Sequence, residues 1–211
     1  MAKFSDWDSR VFGYRVGTHK YADLPRDIGD TEGLDLVFAR GPYRGQLPDP
    51  RSTVFEVQVD LRCDAQTSPK SLPLASGEDF PSVLRIADDT LAGHRWGCDS
   101  RLAPHAKGFY RKWLTAAQDL KQIYVLRTGA CCVGFIVIEQ SADDQRLSLI
   151  AIAPAFQRRG YGNSLLQFFL GQKGNVHRVK TWITNVAALN LYLQNGFRVE
   201  SVECVEHVWL R

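Results

Sequence analysis

Two clusters of residues have the types and spacing to do chemistry. The denser is Gln157-Arg158-Arg159-Gly160-Tyr161-Gly162, which follows an apolar run ending at Ile152 and leads into a helical stretch expected from about Asn163. A turn of this kind attracts an anion. A helix start exposes unpaired N–H groups and the positive end of the helix dipole. Gly160 and Gly162 allow positive φ and let ligand oxygens approach the backbone without a Cβ in the way. Arg158 and Arg159 add charge beside it. The spacing lacks the Gly-Lys-Ser/Thr of a P-loop, and it lacks the third glycine and distant acid of the dinucleotide fingerprint. Taken alone, these six residues also fit a tight turn with solvated arginines.

The second cluster runs from Thr181 to Phe197. Asn185 suits a helix N-cap, Tyr192 sits two turns into the helix, and Gly196 suits the left-handed position after its end, with Phe197 packing behind. Taken alone, a tyrosine here reads first as an amphipathic core residue and only second as a proton donor.

These clusters need elements to hold them. Residues 11–16 and 34–39 are expected as strands, and residues 53–61 alternate apolar and polar as a half-buried strand does. Residues 63–78 are small, polar and Pro-containing, as in a linker, and part of the stretch could pair as a short strand. Residues 79–92 place Phe80, Val83, Leu84, Ile86, Ala87 and Leu91 on one helical face. A second helix spans 105–120 through Phe109, Trp113, Leu114 and Ala117. A hairpin follows over 123–139, then a strand over 146–152, the anion turn and its helix, a strand from 179, the Tyr192 helix and a last strand carrying His207, expected as structural or exposed. The order is that of an α/β fold with a twisted mixed sheet flanked by helices, divided into a smaller N-terminal α/β domain, 1–69, and a larger domain, 70–211.

Composition narrows the class. The chain has 211 residues, 45% of them hydrophobic and 23% charged, as in ordinary globular proteins. A net charge of +3 is too small for a nucleic-acid binder. The five cysteines, Cys63, Cys98, Cys131, Cys132 and Cys204, include no CxxC pair, which argues for reduced thiols, no metal and a cytoplasmic location. No stretch approaches the ~20 apolar residues of a membrane span, so no membrane insertion is expected.

Together the clusters give strand, Q-x-x-G-x-G, helix, strand, N-x-x-A-x-x-x-Y-x-x-x-G-F, which resembles the GCN5-related N-acetyltransferase (GNAT) superfamily. That resemblance implies acetyl-CoA as co-substrate, with the backbone of Leu149, Ile150, Ala151 and Ile152 pairing with the pantetheine arm. It implies that N–H groups of Gln157, Arg158, Arg159, Gly160, Tyr161, Gly162 and Asn163 hold the pyrophosphate. It places Asn185 and Asn190 on the cofactor and makes Tyr192 the acid that protonates the departing thiolate. The flanks (Trp7-Asp8-Ser9, Phe12-Gly13, His94-Arg95-Trp96, Phe109-Tyr110 and Trp113) are similar to family members that acetylate the 4-amino group of a dTDP-linked 4-amino-4,6-dideoxyhexose. This implies a small-molecule amine as partner, a nucleotide amino sugar, with 1–69 on the acceptor side; the alternatives are a GNAT enzyme acting on a different amine, such as a protein N-terminus, and a CoA-binding module without catalysis. Glu56 falls where the resemblance places a general base, with Asp60 and Asp8 as runners-up. His94 and Arg95 would meet the sugar or its diphosphate. A homodimer stays open.

Overall fold

The computed structural model describes residues 3–20, 32–43, 50–68, 70–91, 98–140 and 144–210. The elements run β1 (Lys3–Phe4), α1 (Asp6–Phe12), β2 (Val16–Lys20), β3 (Leu36–Pro42), β4 (Ser52–Cys63), α2 (Phe80–Leu91), α3 (Ala106–Asp119), β5 (Ile123–Thr128), β6 (Cys131–Gln140), β7 (Asp144–Ile152), α4 (Tyr161–Leu170), β8 (Val176–Trp182), α5 (Val186–Gln194) and β9 (Arg198–Trp209). The strands form one mixed sheet in the order β1-β2-β3-β9-β4-β8-β7-β6-β5.

Alternation along the strands divides the sheet into two faces. Val59, Leu61 and Cys63 of β4 and Val179 of β8 pack with Leu165, Leu166, Phe169 and Tyr192 of α4 and α5. On the opposite face, Val83, Ile86 and Leu114 of α2 and α3 cover Val125, Phe135 and Val137 of β5 and β6. Phe12 of α1, with Leu36, Phe38 and Trp209, makes a third cluster on that side. Phe12 stacks on Phe109 of α3, ring centroids 5.8 Å apart.

The N-terminal segment departs from expectation twice. Residues 11–16 are not a strand. Ser5 caps a helix by accepting the Asp8 N–H, and Gly13 ends that helix at φ 75°. The capping groups outweigh the β-branched Val11, and extended backbone resumes only at Val16. A single sheet also takes strands from both sides of the expected domain boundary. The C-terminal strand β9 lies between β3 and β4, and β4 pairs with β8. Residues 74 and 124 form the isolated bridge that the linker composition allowed.

One polar knot ties the distant segments together. Asp99, fully buried before α3, accepts hydrogen bonds on Oδ2 from Thr53 Oγ1 (2.8 Å) and Trp209 Nε1 (3.1 Å), and that oxygen lies 2.8 Å from His207 Nδ1. The Arg101 N–H donates to Oδ1 at 3.1 Å. His207 is therefore structural, as expected of it. Burial alone would raise the Asp99 carboxyl, but the hydrogen bonds from His207, Thr53 and Trp209 outweigh it and hold it at about 2 against the usual 3.8. Its contribution is complete above the unfolded value and disappears as pH falls through about 2. Asp99→Ala should lower the unfolding free energy by roughly 3 kcal/mol at neutral pH, because it strands buried donors. Urea titration would show this, and the gap to wild type should close as pH drops from 4 toward 2.

Candidate active site

The site is built where β7 and β8 part. The two strands pair in parallel from Asp144↔Val176 to Leu147↔Val179 and no further. At that point β7 carries a bulge. Val137 faces Leu149 and Ile138 faces Leu147, so Ser148 is the extra residue. A bulge bends its strand and increases local twist. Beyond it, Ile150, Ala151 and Ile152 pair with β6 on one side only, so their other edge faces the opening.

The anion turn lies at the far end of this edge. Gln157 Nε2 donates to Ile152 O at 3.1 Å, pinning the turn to the strand end. Arg158 has φ 61° and Gly160 φ 84°. Two left-handed residues are thus present, but the second is Arg158, not Gly162. The helix starts two residues earlier than expected, at Tyr161, with Gly160 as its N-cap. That places Gly162 in the first turn, where a Cβ would sit in ordinary contact with Leu191, at 3.6 Å. Among the described residues, no backbone acceptor takes the N–H groups of residues 158–163. This row of free donors at a helix start suits a di-anion such as a pyrophosphate.

A cavity of about 400 Å³ runs over this turn. It is lined by Ile150, Ala151, Ile152, Gln157, Arg158, Gly160, Tyr161, Gly162, Asn163 and Asn185. Arg159 is not among them; it lies over the Phe156 ring at 5.4 Å. Asn190 is exposed on α5 and stays outside the lining, because helical spacing turns Ala187, Ala188 and Leu191 inward instead. Asn185 caps α5 by accepting the Ala188 N–H at 3.2 Å. It also lines a second cleft of about 360 Å³, with Leu149, Ile150 and Tyr192.

Tyr192 is 2% exposed, and burial pushes its phenol up. It therefore stays protonated at ordinary pH and can only donate. No hydrogen bond to its hydroxyl is formed among the described residues. Gly196 turns the chain at φ 84°, and the Tyr192 ring meets Phe197 at 5.6 Å.

The structure does not bring the expected base into this cleft. Glu56 lies on the cleft face of β4, but the lining residue is Gln58, two positions along. Asp60 lines the adjoining groove and is tied to Lys180 at 3.2 Å. Asp8 accepts from the Ser5 hydroxyl on α1, away from both cavities. His94 and Arg95 lie outside the described residues. Arg40, Gln58 and Lys180 line the cleft without having been singled out in the sequence, together with Trp113 and Trp182. Gln58 follows from the same alternation that pointed to Glu56, and Trp182 adjoins the Asn185 motif. Arg40 had no local signal.

The acetyltransferase (GNAT) domain matches residues 119–199, which contain the parted strands, the turn and Tyr192. The dTDP-fucosamine acetyltransferase of Escherichia coli O6:H1 (strain CFT073) is 31% identical over 160 residues, covering 71% of this chain and 68% of that protein. The chain belongs to the GNAT acetyltransferases. It is accordingly an acetyl-transferring enzyme. Solved structures agree on the fold. A conserved protein from Staphylococcus epidermidis has a TM-score of 0.62 at 13% identity, covering 83% of this chain and 73% of its own. A GNAT-family acetyltransferase from Colwellia psychrerythraea has a TM-score of 0.58 at 12% identity, covering 86% of this chain and 66% of its own.

A Cβ on Gly160 would meet nothing within 4 Å, so the cost of Gly160→Ala is backbone strain at φ 84° alone. That substitution should lower stability by about 1 kcal/mol without changing secondary structure. Chemical denaturation followed by circular dichroism would measure it, and an unchanged midpoint would contradict the left-handed assignment.

Proposed function

We propose that this GNAT enzyme transfers the acetyl group of acetyl-CoA to the amine of a nucleotide-linked amino sugar of the dTDP-4-amino-4,6-dideoxyhexose type. The observation that carries the reading is the parting of β7 and β8. It leaves one strand edge open between a row of free N–H donors and a cleft containing a buried tyrosine. The residues fit acetyl-CoA. The free amides of residues 158–163 would hold its pyrophosphate, the Gln157 N–H being donated to Pro154 O, and the edge of Leu149 to Ile152 would hold its pantetheine arm, with Asn185 beside them. Bound there, acetyl-CoA supplies a thioester carbonyl activated toward amines.

The chain's own groups would do the following. Backbone N–H near Ile150 polarises the carbonyl oxygen as charge develops on it. The neutral amine attacks the carbonyl carbon, the C–S bond breaks, and Tyr192 gives its proton to the thiolate. Burial raises the phenol, which keeps it protonated until the thiolate departs. The ammonium proton would reach Glu56 only through water, since Gln58 and not Glu56 lines the cleft. The acceptor assignment draws support from the name of the E. coli relative and from the strands of 1–69, which supply Arg40 and Gln58 to the cleft wall.

Tyr192→Phe should lower kcat by about 10²-fold or more while CoA affinity holds within a few-fold; unchanged turnover would remove it as the acid. In the same assay, Glu56→Gln should depress the rate mainly at low pH, and a uniform effect would remove it as the base. A thiol-release assay across dTDP- and UDP-linked amino sugars, with simple amines as controls, tests the acceptor. Activity confined to simple amines would end the nucleotide-sugar reading.

A further inference from the structure

Arg40 sits on β3, far in sequence from the cofactor turn, yet lines the 360 Å³ cleft. It is half-buried. Its guanidinium makes one hydrogen bond, Nη1 to Gln58 Oε1 at 3.3 Å, and no carboxylate pairs with it among the described residues. The other cation lining the cleft among the described residues is neutralised: Lys180 lies 3.2 Å from Asp60 and 3.0 Å from Glu203. Arg40 is the exception, and its partner Gln58 is only 8% exposed and uncharged. A buried amide in that place orients the fork but leaves the charge uncancelled. A half-buried guanidinium without a counter-charge costs stability unless a ligand supplies one. Four of its five N–H donors remain, in the planar array that takes a phosphate through two parallel bonds.

We infer that Arg40, held by Gln58, binds a phosphate of the acceptor, so that the substrate enters the cleft as a phosphate ester and not as a free amine. The inference rests on the acetyl-transfer reading above, because it takes the cleft to be the acceptor's. The cofactor's own pyrophosphate is excluded from this role by place: Arg158 and residues 160–163 of the donor row line the other cavity, and Arg40 does not. Gln58 acts here as a positioning residue. Both groups come from the N-terminal segment, which gives 1–69 a part in substrate choice.

The test is calorimetric titration of thymidine diphosphate into protein saturated with CoA, so that the amide row is already filled. Wild type should bind it, and thymidine without phosphate should bind at least tenfold more weakly. Arg40→Met should weaken thymidine diphosphate at least tenfold. So should Gln58→Glu, which keeps the fork in place but cancels its charge. CoA affinity within twofold of wild type in each variant would show that the fold survives. No binding to wild type, equal binding of thymidine, or unchanged affinity in both variants would overturn the inference. If thymidine diphosphate binds through Arg40 but no nucleotide amino sugar is acetylated, the sugar assignment fails and the role of Arg40 stands.

Discussion

The molecule depends on one interruption in hydrogen bonding. β7 and β8 begin as ordinary parallel neighbours, and after Leu147↔Val179 they stop pairing. The extra residue Ser148 turns β7 at that point. A continuous parallel sheet would have buried the backbone of Leu149 to Ile152 in ladder bonds. Parted strands leave it unsatisfied, which is affordable only where solvent or a ligand completes it. The crossover through α4 then places a helix N-terminus at the end of the open edge, and α5 places Tyr192 beside it.

The opening must be kept from closing or sliding. On one face α4 and α5 share a core with β4 and β8, and on the other α2 and α3 cover β5 and β6. The far side of the cleft is built from strands at both ends of the chain. β9 runs between β3 and β4, and Asp99 bonds to residues of β4 and β9 from the loop before α3. The same arrangement that buries Asp99 also carries Arg40 and Gln58 to the cleft wall. Core stability and the chemistry of the wall thus rest on one set of strand registers.

Local motifs were the legible part. The cap at Asn185, the left-handed Gly196 and the helix behind Gly160 are set by residues within a few positions of one another; the first two stand where spacing put them, and the helix starts two residues early. Finer local detail escaped. The left-handed Arg158 was not foreseen, because a non-glycine residue adopts that conformation only when its surroundings require it. The helix at Asp6–Phe12 was hidden by its β-branched neighbours, although Ser5 and Gly13 were there to mark it. Glu56 and Gln58 share a strand face, and alternation alone does not say which of them reaches the opening.

By itself, the sequence determined the GNAT family, the α/β class, the anion turn and the position of Tyr192, since these depend on contiguous residues and short-range backbone physics. Only the tertiary structure decided that one sheet takes strands from both sides of the expected domain boundary, that β9 lies between two N-terminal strands, and that Arg40 meets Gln58 across an 18-residue separation. Strand order and register are set by burial summed over the whole sheet. No local stretch encodes them, so a side chain without a local signal can still complete the site.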